Sequence, residues 1–291
     1  MNAKRVAAEK AVEYIGNGMI VGLGTGSTAY FAIHRIAKLV QEGLSIQAVA
    51  SSKQSEALAR ELHIPIIPFS EIDVIDISID GADEVDTHGN LIKGGGGALL
   101  REKILAANSK KFIVIVDESK AVAQLGKFPL PVEIVPFAFE LTMKKLEQLG
   151  SNGILRLQEG RTPYVTDNGN YIVDCHFEQI GNAAKLGQQL HAIPGVVEHG
   201  LFIQMSDTII VGSDEGVDVR DRNSEGEGAQ SLDLPAGLAK PALRALAGAG
   251  IANLGQLAQI SELELNQLHG IGPNAVRLLR QAMKHNGLTF R

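Results

Sequence analysis

Cysteine is nearly absent: Cys175 is the single one, so no disulfide can form within the chain and a small, cross-linked secreted scaffold is excluded. Long apolar runs are also missing. None approaches the ~20 residues that a membrane helix needs, so no membrane span is expected. The opening stretch MNAKRVAAEKAVEYI spreads charge through an amphipathic helical pattern and lacks the apolar core of a signal peptide, so a cytoplasmic protein is the expectation. Net positive charge is lacking too. At −6, the whole chain does not advertise nucleic-acid binding. Histidine and cysteine do not cluster at ligand spacing, and no serine or cysteine triad stands out, so neither a metal nor a covalent nucleophile is expected. What is abundant is glycine, 32 of 291 residues, and it comes in clusters. With 45% hydrophobic residues, the chain is long enough for one substantial core and a small second domain.

Strand and helix patterns alternate through the first half. Residues 3–15 have helical spacing, and Met19–Leu23 is a short apolar run that ends in glycines. The loop Gly22–Thr28 follows, and helical spacing returns over Ala29–Val40. The pattern repeats with strand-like segments at 46–50, 76–80 and 112–116, each emptying into a polar or glycine-rich loop. This is the signature of an α/β layer fold, in which ligands sit at the carboxyl ends of the strands. Beyond Pro129 the texture changes. Residues 137–149 and 181–192 read as helices, and 156–164, 171–176 and 196–202 as strands, which suggests a small α+β insertion at about 130–205. Residues 208–212 and 217–219 would then rejoin the main sheet.

Four loop clusters carry candidate chemistry. Thr25-Gly26-Ser27-Thr28 opens a helix with free backbone N–H groups and hydroxyls, which favours phosphate. The same loop also suits an ordinary N-cap. A dinucleotide fingerprint begins with Gly22-x-Gly24, but Ser27 stands where its third glycine should be. Asp80-Gly81-Ala82-Asp83-Glu84 gathers carboxylates whose repulsion raises at least one pKa, useful for proton transfer. A solvated acidic turn and, less readily, a metal site are the alternatives. Lys93 precedes four glycines, Gly94 to Gly97, and Glu102 falls on the first turns of the next helix. Consecutive glycines cost backbone entropy, which a fold tolerates where backbone must approach a ligand, and a lysine beside them can stabilise an oxyanion. A flexible loop and a carboxylate favoured by the helix dipole are the plainer readings. Asp117-Glu-Ser-Lys120 offers Lys120 as a phosphate contact or a surface lysine. If one parallel sheet brings the four together, they supply a phosphate cradle, carboxylates, an oxyanion lysine and a base. That combination points to proton transfer on a small phosphorylated substrate.

The segments GTGST (24–28), DGADE (80–84), KGGGGALLREK (93–103), DESK (117–120), GKFPLPVEIVP (126–136), VTDNGNYIVD (165–174) and AIPGVVEHGLF (192–202) resemble ribose-5-phosphate isomerases of the A type, in order and at family spacing over residues 1–219. The resemblance implies an open, mostly parallel sheet of the ribose-phosphate isomerase/CoA-transferase type, a small α+β lid at about 130–205, and cofactor-free interconversion of ribose 5-phosphate and ribulose 5-phosphate in the non-oxidative pentose phosphate pathway. It assigns Glu102 as proton acceptor and Asp80 and Asp83 as the acidic pair at the sugar hydroxyls. Lys93 with Gly94, Gly95 and Gly96 would support the enediolate. Thr25–Thr28, Gly81, Ala82, Lys120 and, more loosely aligned, Lys4 would bind the substrate. It also implies a homodimer or homotetramer. Gly97 departs from the alanine that relatives often carry, which reads as added freedom in the loop. A regulator that senses sugar phosphates without catalysis is the alternative for the whole chain, although Glu102, Asp80, Asp83 and Lys93 are all present.

Residues 220–233 (RDRNSEGEGAQSLD) are polar and aperiodic, and read as a linker. Residues 234–291 are helical in pattern and carry a net +4, against −10 for the rest, an asymmetry that suits a second domain with a different job. Ser261-x-x-Glu264 is a capping-box pattern. Gly270-Ile-Gly272 before a basic helix bearing Arg277, Arg280 and Lys284 is similar to helix-hairpin-helix modules and, more loosely, to the C-terminal domain of RNA polymerase α subunits. Such hairpins offer backbone N–H groups to a nucleic-acid phosphate. A small helical domain for protein contact fits as well.

Overall fold

The computed structural model describes residues 2–158, 161–221, 234–235, 237–268, 270–285 and 288–290. They fall into two compact units, Met1–Arg222 and Asn223–Arg291. The larger begins with α1 (Ala3–Val12), β1 (Ile20–Leu23), α2 (Ser27–Gln41), β2 (Gln47–Ala50), α3 (Lys53–Glu61) and β3 (Ile75–Gly81). Two short strands follow, β4 (Glu84–Val85) and β5 (Leu91–Ile92), then α4 (Leu99–Ala107) and β6 (Ser109–Asp117). The insertion contributes β7 (Leu130–Ile134), α5 (Phe139–Glu147), β8 (Asn152–Leu155), β9 (Tyr171–His176), α6 (Ala183–His191) and β10 (Val196–His199). β11 (Leu201–Phe202), β12 (Thr208–Gly212) and β13 (Val217–Asp221) complete the unit.

The main sheet runs β13-β12-β6-β3-β1-β2. Every neighbouring pair in it is parallel except β12 with β13, which is antiparallel and registers Thr208 against Asp221. Strands buried on both faces read as continuous apolar runs, and β6 shows why. Ile113 and Ile115 pack under α1 and α2 with Ala7, Ala11, Ile33 and Ile36. Phe112, Val114 and Val116 pack on the other side with Ala106 of α4 and Phe202. Capping fixes the helix starts: the Asn2 side chain accepts from Arg5 N before α1, and the Ser52 side chain from Ser55 N before α3. A second, wholly antiparallel sheet, β10-β7-β9-β8, packs with α5 and α6 around Leu130, Val132, Ile134, Leu146, Val173 and Leu190. A third small sheet, β11-β5-β4, lies between: Ile92 and Leu201 join the second core, and Leu91 and Phe202 join the core on the α4 side.

Several details differ from expectation, the short β4 and β5 among them. β7 has no counterpart among the expected strands. Of the strand expected at 156–164, the described residues 156–158 and 161–164 form only an isolated bridge, Leu157 to Pro163, residues 159–160 lie outside the described residues, and the strand lies earlier, at 152–155. The expected strand 196–202 breaks at Gly200 into β10 and β11, which belong to different sheets. A Cβ at Gly200 would run into the Lys93 carbonyl, so glycine lets the two backbones bond directly: Lys93 N donates to Gly200 O at 2.8 Å. Finally, Arg220 and Asp221, expected in the linker, extend β13; residues 222–233 of that linker lie outside the described residues.

The smaller unit contains α7 (Lys240–Gly248), α8 (Leu254–Leu257), α9 (Glu262–Gln267) and α10 (Pro273–His285) around Leu246, Leu254, Leu257, Leu265, Leu279 and Met283. The Ser261–Glu264 capping box forms reciprocally at the start of α9. α10 begins at Pro273, whose fixed φ suits a first helical turn.

Candidate active site

Neighbouring parallel strands β1, β3 and β6 end in the Thr25–Thr28, Gly81–Asp83 and Asp117–Lys120 segments, so three of the four loop clusters meet at one sheet edge. The fourth arrives differently. Lys93 and its glycines leave β5 of the small sheet, not a strand of the main one. Together they wall a cavity of about 110 Å3 lined by Lys4, Thr25, Gly26, Ser27, Thr28, Gly81, Ala82, Asp83, Lys93, Gly94, Gly95, Gly96, Glu102 and Lys120. Asp80 is the one expected site residue not on that wall. It lies beneath it, 3% exposed, and Oδ1 accepts from Thr25 N (3.0 Å) and Gly81 N (2.7 Å). Gly24 has no room for a side chain because a Cβ there would overlap the Asp80 carboxyl.

A buried charge cluster forms the floor. Lys93 Nζ donates to the Gly81 carbonyl and stands 3.0 Å from Asp80 Oδ2 and 3.3 Å from Glu102 Oε2. Lys93, Asp80 and Glu102 are all at most 4% exposed. The 3.3 Å contact is an ion pair without hydrogen-bond alignment, and Glu102 Oε2 has no hydrogen-bond partner. One ammonium therefore faces two carboxyls, with Asp83 nearby. Burial, then the charge of Asp80, pushes the Glu102 carboxyl up to about 8 against the pull of Lys93. Burial also raises Asp80, opposed by Lys93. Burial works against the Lys93 charge, but Asp80, Glu102 and Asp83 outweigh it and hold its pKa above the ordinary lysine value. The floor thus combines a cation that keeps its proton with a carboxyl poised near neutral pH. That pairing can accept a proton from carbon and stabilise an adjacent oxyanion.

At the other end of the cavity, Gly26 caps α2 in a positive-φ conformation, and α2 presents its N-terminus there. Lys4 Nζ donates to Ser27 Oγ at 2.9 Å, so the N-terminal helix reaches this loop. The Thr25 hydroxyl turns inward to the buried hydroxyls of Ser51, Ser52 and Ser55. Asp83 is fixed by accepting from Gly95 N at 2.7 Å, and a Cβ on Gly95 would strike its carboxyl. Gly97 does not loosen the loop as expected. It holds φ +82°, and a Cβ there would run into the Tyr164 hydroxyl, so glycine is a packing requirement.

Sequence reasoning missed the second layer. Arg156 donates to the carbonyls of Gly94 and Gly95, and Arg101 is held by Asp167 and Asn168. These partners lie about 60 or more residues apart, and a lone arginine in a polar run gives no local signal. Among the described residues, His191, Glu198 and His199 bring possible metal ligands within 4.8 Å of one another. Their chemistry does not suit a cation. His199 Nδ1 accepts from Leu201 N–H and faces Lys103 Nζ at 3.4 Å, so the fitting neutral tautomer carries its proton on Nε2. The ammonium already occupies the position beside Glu198, at 2.7 Å.

Residues 47–216 match the family model for ribose 5-phosphate isomerase A (phosphoriboisomerase A). The chain belongs to the ribose 5-phosphate isomerase A family. The ribose-5-phosphate isomerase A of Bacillus mycoides (strain KBAB4) is 51% identical over 218 residues, covering 75% of this chain and 98% of that relative. That of Sphingopyxis alaskensis is 49% identical over 219 residues, 75% of this chain and 96% of the relative. The structure of ribose 5-phosphate isomerase A from Methanocaldococcus jannaschii superposes with a TM-score of 0.73 at 40% identity, over 76% of this chain and 99% of that one. A D-ribose-5-phosphate isomerase solved in complex with phospho-erythronic acid gives 0.74 at 40% identity, over 76% of this chain and all of the other. These relatives are spanned almost completely by three quarters of the chain.

Proposed function

We propose that the larger unit interconverts D-ribose 5-phosphate and D-ribulose 5-phosphate through an enediolate. The observation that carries the reading is the Lys93–Glu102 pair, 3.3 Å apart on the floor of the shared cavity. A carbon-bound proton beside a carbonyl is weakly acidic, and its removal needs both a base and a partner for the charge that develops on oxygen. Glu102 takes the proton from C2 of the open-chain aldose and returns it to C1. Burial makes this carboxyl a stronger base than one in water. The Lys93 ammonium and the glycine-loop N–H groups face the C1 oxygen as its charge grows. Asp83, on the cavity wall, contacts the sugar hydroxyls and assists ring opening. Asp80 holds Lys93 charged from below. Ser27, Thr28, Lys4, Lys120 and the α2 N-terminus anchor the phosphate, which lowers the entropic cost of alignment. No cofactor enters this scheme. The reaction belongs to the non-oxidative pentose phosphate pathway, and the cytoplasm is the location proposed for it. A coupled assay for ribulose 5-phosphate tests it: Glu102→Gln keeps the fold and lowers turnover by about 10²–10⁴-fold or more. Near-normal turnover removes Glu102 from the role.

The same family reading sets the chain as a homodimer or homotetramer, which light scattering on the intact protein checks. For the smaller unit we propose a helix-hairpin-helix-like contact with duplex DNA. Gly270 holds φ +105° in the turn that leads into α10, and Arg277 and Lys284 stand on that helix, while Arg280 is engaged by Glu262. Full-length protein and a chain ending at residue 222 are compared by fluorescence anisotropy with duplex DNA. Binding that needs the tail and weakens with salt supports the contact. Tail-independent or absent binding at micromolar protein favours a protein partner.

A further inference from the structure

The four-glycine loop is held from outside the cavity by one side chain of the insertion. Arg156 follows β8, and its Nη1 donates to Gly94 O at 3.0 Å and Gly95 O at 3.1 Å. Its Nε and Nη2 grip both oxygens of Asp174 on β9, Nε at 2.9 Å, so the guanidinium is locked in a two-sided fork. Arg156 is not on the cavity wall, and its side chain is 16% exposed.

A trans peptide points its C=O and N–H in opposite directions. Fixing the two carbonyls outward therefore fixes the N–H groups of Gly95 and Gly96 inward. The Gly95 N–H donates to Asp83 at 2.7 Å. Gly96 lines the cavity, and its N–H has no partner among the described residues. The cation on the carbonyl side also polarises both peptides and makes their N–H groups better donors. Glycine backbone has no side chain to lock these planes by packing, so the lock has to come from elsewhere.

We propose that Arg156, held by Asp174, is a positioning residue of the isomerase site, which orients and polarises the Gly95–Gly96 peptide so that its N–H receives the enediolate oxygen beside Lys93. The inference rests on the isomerase reading above. It makes the insertion part of the catalytic apparatus: β8 and β9 supply the outer half of an oxyanion site whose inner half comes from the small sheet. The interaction matters when charge appears on oxygen, so Arg156 acts on the transition state and hardly on substrate binding.

The test compares wild type with Arg156→Lys and Arg156→Ala, with folding checked by circular dichroism and thermal melting. Two probes are used: a phosphorylated four-carbon hydroxamate, which mimics the enediolate, and a phosphorylated pentitol, which has no carbonyl. In both variants kcat falls about 10–100-fold, the range a misplaced group costs, while KM stays within about twofold. Hydroxamate affinity falls by a similar factor and pentitol affinity does not change. Millimolar guanidinium restores part of kcat in Arg156→Ala and none in wild type. Arg156→Lys keeps a charge but cannot span two carbonyls and a carboxylate, so it stays impaired while folding normally. Unchanged kcat in a folded Arg156→Lys overturns the proposal, as does equal weakening of both probes without rescue. Wild type that neither isomerises ribose 5-phosphate nor prefers the hydroxamate fails the isomerase reading itself, a result distinct from any variant's behaviour.

Discussion

A glutamine in place of Glu102 should make the larger unit more stable even as it cuts turnover. The carboxyl has an ordinary value of 4.5 and is pushed up to about 8 in the fold, burial being the main cause. In the unfolded chain it ionises as pH rises past 4.5, whereas in the folded chain it keeps its proton until about 8. The unfolded state therefore sheds protons first, and stability contributed by this group, complete below pH 4.5, drains away as pH rises toward 8. At 1.4 kcal/mol per tenfold in proton affinity, the penalty at pH 7 is on the order of 3 kcal/mol. Glutamine keeps the shape and has no charge to hide. Its loss is the pairing with Lys93, which retains Asp80 at 3.0 Å. For a unit of this size, about 3 kcal/mol corresponds to a rise of roughly 6–12 °C in Tm. The assay is thermal unfolding of both proteins at pH 5, 7 and 8.5, following the transition of the larger unit. The gap between variant and wild type should be small at pH 5, wide at pH 7 and level above pH 8. A gap independent of pH, or a variant less stable than wild type at pH 8.5, would refute the reasoning. Lys93 would then be holding Glu102 ionised throughout, and burial would not govern this carboxyl.

Three further outcomes are expected. The kcat/KM of wild type should climb about tenfold per pH unit below about 8 and level off above it, because only ionised Glu102 takes a proton; a flat profile from pH 6 to 9 contradicts the base assignment. Lys93→Met should cut kcat by about 10²–10³-fold. It should also destabilise the fold by about 3–5 kcal/mol near neutral pH, since the buried Asp80 carboxylate loses its cation, and urea midpoints should recover as pH falls and that carboxylate protonates. Gly97→Ala should cost about 1–3 kcal/mol from the left-handed backbone and the contact with Tyr164, and the cost should shrink in a Tyr164→Ala background.

The parallel half of the fold was legible because its strands are short apolar runs that empty directly into polar loops, so strand and site announce each other. Thr25–Thr28, Gly81–Asp83 and Lys120 could be placed together for that reason. β7 was not legible. Its sequence, Leu130-Pro-Val-Glu-Ile, includes a proline and a glutamate, yet Glu133 is fully buried, with Oε1 accepting from Thr166, Asn168 and Asn170. Those donors lie more than thirty residues on, and nothing local reveals them. The strand at 152–155 hid behind Asn152 and Gly153, poor strand formers tolerated at a sheet edge. Asp80 and Asp83 read as an equivalent pair, but a site in three dimensions has a floor and a wall, and spacing along a turn does not say which carboxyl is which. Gly97 looked like slack for a similar reason: Tyr164, which fills the space over it, is distant in sequence.

The reversed direction of β13 sets the end of the main sheet apart from the cavity. Parallel strands carry their loops to the cavity edge, and β12 follows that rule beside β6, whose last residue, Asp117, begins the Lys120 segment. β13 turns back, so Asp221 stands level with Thr208 and Ile113, toward the opposite rim. The last described strand of the larger unit thus ends at the rim opposite the cavity edge. No residue of β13 lines the cavity, so substitutions along that strand can tune the sheet edge while leaving the cavity walls as they are.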